Sequence, residues 1–234
     1  MSTLPPVLTP LSRLPDFDPR RVPVLGTDAA LPPVAAERLR PEALQQRFLN
    51  PPSWAPEVTH ERRFADRQPA HASVLVPIVL RDDPTVLLTL RTTQLSTHSG
   101  QVAFPGGRMD DTDPTPADTA LREAEEEVGL ARHRVQVLGS LPLYTTGTAF
   151  MVTPVVGLVQ PGFELQLNPH EVAAAFEVPL SFLMNPANHR RHAFEAEGVR
   201  REWFSMPWMD GADERFIWGA TAGMLRNFYR FLSA

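Results

Sequence analysis

The sequence predicts an α+β fold arranged as an α/β/α sandwich around a mixed sheet. Three observations predict it. From Ala72 onward, short apolar runs bounded by turn residues read as strands. Two stretches, 116–128 and 216–231, read as helices. Strands and helices follow one another without regular βαβ alternation, which sets the chain apart from a Rossmann-type sheet. At 234 residues and 43% hydrophobic, the chain fits one domain with a real core and appendages.

The elements follow in order. Nearly half of the 25 prolines precede Trp54, and proline fixes φ and removes a donor. Residues 1–34 therefore read as a proline-rich extended arm, either a disordered tail or an arm packed on the partner subunit of a homodimer. Residues 35–234 form the domain proper, with helices near both ends. Pro41 suits the first position of a short helix to Phe48, where Leu44 and Phe48 share a face. Ser73–Leu80 and Thr85–Leu90 form a hairpin around Arg81-Asp82-Asp83-Pro84. Pro77 inside the first of these runs points to an edge strand or a bulge. Further strands are expected at 101–104, 135–141, 151–159, 174–178 and 201–206, with the last helix over Phe216–Phe231.

The formal net charge of −5 argues against a nucleic-acid or anionic-membrane binder, while leaving room for a local basic pocket. With no cysteine, disulfides, thiolate metal sites and a cysteine nucleophile are all excluded. The first residues lack the basic and apolar regions of a signal peptide, and no apolar run approaches a membrane span. A cytoplasmic location is the expectation.

The helix over Pro116–Val128 carries the strongest chemical signal. Thr115 is its N-cap, Pro116 its first residue and Asp118 an acid reaching back; Gly129 closes it. Ala117, Leu121, Ala124 and Val128 recur as one buried stripe, with Ala120 and Ala124 leaving room beside Glu123. Outside the stripe lie Glu123, Glu126 and Glu127, within one turn of each other. Clustered like charges cost a few tenths of a kcal/mol per pair on a bare helix, roughly. Arg122 reaches Glu126 at i, i+4, but one guanidinium does not balance three acids. Either the acids form a solvated face, or a hard divalent cation, Mg2+ or Mn2+, completes the balance.

Context separates those readings. Phe104-Pro105-Gly106-Gly107 lies upstream, and Arg122-Glu123-Ala124-Glu125-Glu126-Glu127-Val128-Gly129-Leu130 follows. Together they resemble the Nudix box, G-x5-E-x7-R-E-U-x-E-E-x-G-U with U apolar, and the second half matches at every specified position. In the first half, Gly107 to Arg122 is one residue longer than the general spacing. Pro114 stands where the box has glutamate, and Asp113 is the nearest acid. The resemblance implies that Glu123, Glu126 and Glu127 are metal ligands and that Glu123 also orients or deprotonates water. It implies that Arg122 holds a catalytic glutamate in place. Some Nudix enzymes recruit another acid from a later loop, and Glu171 is the candidate here, alternatively an exposed loop acid.

The segments flanking the box bear on the substrate. Leu87-Leu88-Thr89-Leu90-Arg91 leads through Leu95 and His98 to the segment Ser99-Gly100-Gln101-Val102-Ala103 that precedes Phe104. This is similar to the signature upstream of the box in Nudix coenzyme A pyrophosphatases, except at Ser96, where that signature often has arginine. The longer spacing with Asp113 and the stretch Ile217-Trp218-Gly219-Ala220-Thr221-Ala222 look like the same subgroup. The resemblance spans about residues 40–230 and implies cleavage of the diphosphate of coenzyme A or acyl-CoA. Arg91 and His98 then suit an anionic, adenine-bearing ligand, with Gly106 and Gly107 beside it. Phe104 is either core or pocket wall. Trp203, Phe204 and Trp208 read as core or dimer contact rather than an adenine platform, and His189-Arg190-Arg191-His192 as a basic loop patch, either solvated or near ligand phosphates. Other readings keep the chemistry on NADH, ADP-ribose or a nucleoside triphosphate, or make the chain a Nudix ligand-binding domain without turnover.

Overall fold

A computed structural model describes residues 9, 11, 14, 17–61, 68–92 and 100–234 of the chain. In chain order its early elements are β1 (Val24–Thr27), α1 (Pro41–Leu49), β2 (Ala70–Val79), β3 (Thr85–Arg91), β4 (Val102–Ala103) and β5 (Gly106–Arg108). Next come α2 (Pro116–Val128), β6 (Val135–Ser140), β7 (Tyr144–Thr145), β8 (Phe150–Val159) and β9 (Val172–Pro179). The chain continues with α3 (Leu180–Leu183), β10 (Arg190–Ala196), β11 (Val199–Asp210), β12 (Asp213–Trp218) and α4 (Gly219–Ser233). Among the described residues, no helix is long and apolar enough to cross a membrane.

The main sheet is mixed, in the order β4-β3-β2-β8-β6, with β5 on β2, β7 on β8 and β9 on β3. Its spine is the parallel pair β2 and β8, in register from Ala70↔Phe150 to Val79↔Val159. Side chains alternate across the two faces of this spine. Leu75 and Val79 of β2 join Val155 and Val159 of β8 against Ala120, Ala124 and Val128 of α2. Val76 and Ile78 join Val156 and Leu158 in a second core with Leu225 and Phe228 of α4 and Leu44 of α1. Both faces are covered, which is why these strands read as continuous apolar runs. The α/β/α sandwich of the sequence reading is the observed architecture.

Pro77 does not mark an edge strand: β2 lies inside the sheet. The Leu75 N–H donates to the Pro105 carbonyl, so alternation turns the nitrogen of residue 77 toward that same side. There it falls between the β5 pairing at Ala72–Val74 and the β3 pairing at Ile78–Val79, where no ladder donor is required. The last helix starts later than the expected Phe216. Phe216–Trp218 belong to β12, which pairs with β11 from Ser205↔Trp218 to Asp210↔Asp213. The helix begins only at Gly219, whose φ of 60° breaks the extended chain.

A second, antiparallel sheet runs β1-β10-β11-β12. The stretch Arg190–His192, read from sequence as a loop patch, is instead the start of β10, and His189 and His192 are buried. The proline-rich N-terminal stretch supplies β1, which pairs with β10. Phe17 packs edge-on against Phe194 and Trp203 of the same chain, at 5.1 and 5.9 Å between centroids. The rings of the 203–208 cluster are likewise engaged within the chain. Trp203 stacks on His192, Trp208 meets Phe182, and Phe204 lies beneath the guanidiniums of Arg191 and Arg226.

Arg226 of α4, 1% exposed, ties these parts together. It pairs with Asp28 at 2.8 Å and Glu57 at 2.7 Å, and Arg191 pairs with the same two acids. Its Nη1 also donates to His189 Nδ1 at 3.1 Å, while His189 Nε2 donates to the Leu183 carbonyl at 2.8 Å. Those partners require the neutral imidazole. Burial, with Arg226 adding to it, pushes the His189 pKa down from 6.5 to about 4.

The unfolded chain therefore takes up this proton near pH 6.5, and the folded protein only near 4. Acidification through that window favours unfolding. In urea titrations of wild type and His189→Gln across pH 7 to 4, the variant is expected to lose up to about 1.4 kcal/mol per pH unit of the wild-type slope. Equal slopes would show that His189 is not the group responsible.

Candidate active site

The helix α2 is fixed at both ends as its sequence dictates. Thr115 Oγ1 accepts the Asp118 N–H at 3.3 Å and donates to the Asp118 carboxylate at 2.6 Å. Gly129 takes the left-handed conformation, φ 71° and ψ 19°, and its N–H donates to the Glu125 carbonyl. The buried stripe is Ala120, Ala124 and Val128; Ala117 and Leu121, expected in it, are only partly buried. The helix thus turns its small side chains to the sheet, which carries Glu127 inward to 2% exposure rather than leaving it on an outer face.

Gly106 and Gly107 receive the two innermost acids. The Gly106 N–H donates to Glu127 Oε2 at 3.2 Å. A Cβ at Gly107 would lie 2.5 Å from the Glu123 carboxyl carbon, and one at Gly106 would lie 2.4 Å from the Ser73 carbonyl oxygen. Only glycine permits both approaches. Burial raises the pKa of Glu127 to about 7 even though the Gly106 N–H and Arg91, whose Nη1 is 3.6 Å from Oε1, pull it down. Burial also raises that of Glu123, against the pull of Arg122.

Arg122 binds three acids at once. Its Nη1 donates to Glu123 Oε1 at 2.9 Å and Glu126 Oε2 at 3.0 Å. Its Nε and Nη2 form a fork on Asp113, at 3.0 and 2.8 Å. Asp113 is buried, and Arg122, with the Asp110 N–H and Thr119 hydroxyl, holds its carboxyl well below the usual range. The acid beside the irregular box position is therefore the one that orients Arg122.

Glu171 arrives from the loop before β9 and is close enough to raise the pKa of both Glu123 and Glu127. Two residues without a role in the sequence reading hold it there. Asn168 Nδ2 donates to Glu171 Oε1 at 3.2 Å, while the Asn168 N–H donates to the Glu127 carbonyl at 2.9 Å. The Thr92 N–H donates to the Glu171 carbonyl at 3.0 Å, and its hydroxyl to that of His170. The Asn168-Pro169 turn signal was the available clue to Asn168; nothing in the sequence marked Thr92.

Among the described residues, no three acids form a ready-made cation cage. Arg122 takes up oxygens of Glu123 and Glu126, and Arg91 faces Glu127. Glu171 nevertheless lies near enough to Glu123 and Glu127 to raise the pKa of both, and carboxylate oxygens are the donors that a hard divalent cation takes.

The profile of the NUDIX domain matches residues 69–218. This chain belongs to the Nudix family. It is 43% identical over 156 residues to the uncharacterized Nudix hydrolase NudL of Escherichia coli K12, covering 67% of this chain and 79% of that protein. NudL of Photorhabdus laumondii is 42% identical over 166 residues, covering 71% and 86%. Among solved structures, a C. elegans Ap4A hydrolase binary complex aligns over 50% of this chain and 85% of that one, at 18% identity and TM-score 0.41. The M. smegmatis Nudix hydrolase RenU aligns over 49% and 71%, at 24% identity and TM-score 0.39.

The structure brings the Nudix-box acids Glu123, Glu126 and Glu127 together with Arg122, Gly106, Gly107, Arg91 and Glu171. Arg91 also lines a cavity of about 470 Å3 between the end of the main sheet and β12. Phe104, 3% exposed, packs in the core with Val102 and is not part of that lining. His98 and Ser96 lie outside the described residues.

Because Asp113 fixes Arg122 and Arg122 fixes Glu123, Asp113→Asn is expected to lower kcat by about 10–100-fold, the usual range for a lost supporting contact. Its melting temperature should also fall, because the fork is buried, so kcat is compared at a temperature where both proteins are folded by circular dichroism. A wild-type kcat would dissociate the Asp113 fork from catalysis.

Proposed function

We propose that this Nudix hydrolase cleaves the diphosphate of coenzyme A or acyl-CoA, giving 3′,5′-ADP and 4′-phosphopantetheine or its acyl form. Hydrolysis of phosphoric anhydrides is the family's reaction, and its members generally use divalent metal ions. The observation that carries the reading to coenzyme A is the run from Leu87 through Phe104-Pro105-Gly106-Gly107. Its Arg91 stands between Glu127 and the cavity. The lengthened, Asp113-bearing first half of the box supports the same subgroup.

Glu123, Glu126, Glu127 and Glu171 would hold Mg2+ or Mn2+. Bound there, the cation would neutralise the diphosphate and lower the pKa of water. The chain's own contributions follow from its geometry. Glu123, steadied by Arg122 and backed by Gly107, orients the attacking water and takes its proton. Water adds to one phosphorus, the bridging P–O bond breaks, and two phosphate monoesters leave. Arg91 offers a guanidinium to the anionic substrate at the mouth of the cavity. Glu171, held by Asn168 and Thr92, faces the helix acids from the opposite loop.

A substrate panel with Mg2+ or Mn2+ tests the assignment by product chromatography. Coenzyme A should turn over well ahead of NADH, ADP-ribose and nucleoside triphosphates; comparable turnover of those compounds with coenzyme A left intact would sink it. Binding of every diphosphate without hydrolysis would favour a ligand-binding Nudix domain. Glu126→Gln is expected to reduce kcat by about 10^2–10^3-fold while circular dichroism shows the fold intact, since removing one well-placed electrostatic group costs on that order. Wild-type activity in this variant would rule out a ligand role for Glu126.

A further inference from the structure

The cavity beside Arg91 has a second wall that the Nudix chemistry does not use. Opposite Leu90, Arg91 and Val172 stand Arg215 and Phe216 of β12, together with Arg20 from the N-terminal segment. Three arginines thus line one cavity, against a single acid, Glu214.

Each arginine on the far wall retains capacity for a ligand. Arg215 anchors Nε and Nη2 on Asp210 at 3.1 and 2.9 Å, with Asp213 3.7 Å from Nη2, and its guanidinium lies 4.8 Å over the Phe176 ring. No hydrogen-bond partner of its Nη1 lies among the described residues. Arg20 rests over Phe216 at 5.3 Å, and its Nε is 3.6 Å from Glu214, beyond hydrogen-bond length. Both members of that pair are about half exposed, so the contact is weak and exchangeable. The backbone carrying Arg20 is nevertheless held on both sides. Phe17 sits among the rings of Phe194 and Trp203, and beyond it Val22 is buried and β1 is paired with β10.

We propose that Arg20 and Arg215 form an anion subsite that binds a phosphate monoester of the substrate, remote from the diphosphate that is cleaved. Arg20, which lies outside the matched domain at 69–218, is then a specificity residue delivered by the N-terminal segment. The inference rests on the coenzyme A reading for the identity of that phosphate. The nucleotide half of coenzyme A ends in a 3′-phosphate, while the pantetheine half beyond the diphosphate carries no charge. The two arginines of the far wall favour the former, placing the nucleotide half in the cavity and directing the pantetheine outward.

The test uses the full chain and separates the two claims. By calorimetry, wild type is expected to bind 3′,5′-ADP at least about tenfold more tightly than 5′-AMP, the gain of one good charge-assisted contact. Arg20→Ala should bring that ratio below about threefold, and Arg20→Lys should restore part of it. Because Arg20 is half exposed, its removal spares the fold, which a melting curve verifies. In turnover, the kcat/KM ratio of coenzyme A to dephospho-coenzyme A should fall in step. Equal wild-type affinity for 3′,5′-ADP and 5′-AMP, or an undiminished preference in Arg20→Ala, overturns the subsite. If neither coenzyme A nor dephospho-coenzyme A is cleaved, the proposed function fails instead, and the binding ratio still decides the subsite.

Discussion

Burying a carboxylate costs several kcal/mol, roughly, unless charge and hydrogen bonds meet it. Glu127 is buried with two further acids on the same helical turn and a fourth on the facing loop. The rest of the active site answers that cost. Gly106 gives Glu127 a backbone N–H, Arg91 approaches its other oxygen, and Arg122 spans Glu123 and Glu126. These contacts do not complete the balance, since the pKa of Glu127 stays near 7 and that of Glu123 is raised. Under the proposed function a divalent cation would supply what is missing. The glycine pair is the geometric condition for it, because any larger side chain at residue 107 would displace Glu123.

A second concentration of buried charge lies away from the chemistry. Arg226 and Arg191 share Asp28 and Glu57, joining α4 and β10 to two segments that precede the main sheet. Asn227 extends the same seam. Its Oδ1 accepts the N–H groups of Glu57 and Val58, and its Nδ2 donates to the Val58 carbonyl. Removing one partner from such a network strands the others in a poorly solvated place, so the network works more as a specification of how the parts join than as a source of stability. It is this joint that holds the second sheet, and with it β12, at the end of the main sheet where the cavity forms.

What the sequence disclosed follows from the range of the interactions involved. The caps, length and acid spacing of α2 depend on neighbours within four residues, and they were legible. So was the apolar spine of β2 and β8, whose burial on both faces leaves uninterrupted runs. The rotation of α2, which buries Ala120 and Glu127 in place of Ala117 and Leu121, was not legible, because the packing against β2 and β5 decides it. Phe216–Trp218 carried an apolar pattern compatible with a helix, and only the pairing with β11 makes it a strand. Asn168 and Thr92 act through backbone contacts to Glu127 and Glu171, which no local pattern announces. Arg20 was hidden for the same reason: its place depends on Phe17 meeting rings nearly two hundred positions away.

This division of labour has a physical logic. The helix acids need sub-ångström placement, and a capped helix pressed on a two-sided core supplies it. Recognition of the rest of the substrate needs only a few charges at the correct distance, and elements added at the edge of the sheet can carry them without disturbing the core. The cavity joins the two regimes, because Arg91 closes β3 and faces Glu127 on one side while it lines the cavity on the other. A ligand phosphate drawn toward Arg91 would compete with Glu127 for the same guanidinium. Under the proposed function, substrate binding would then release the Glu127 carboxylate for the cation that the site would hold.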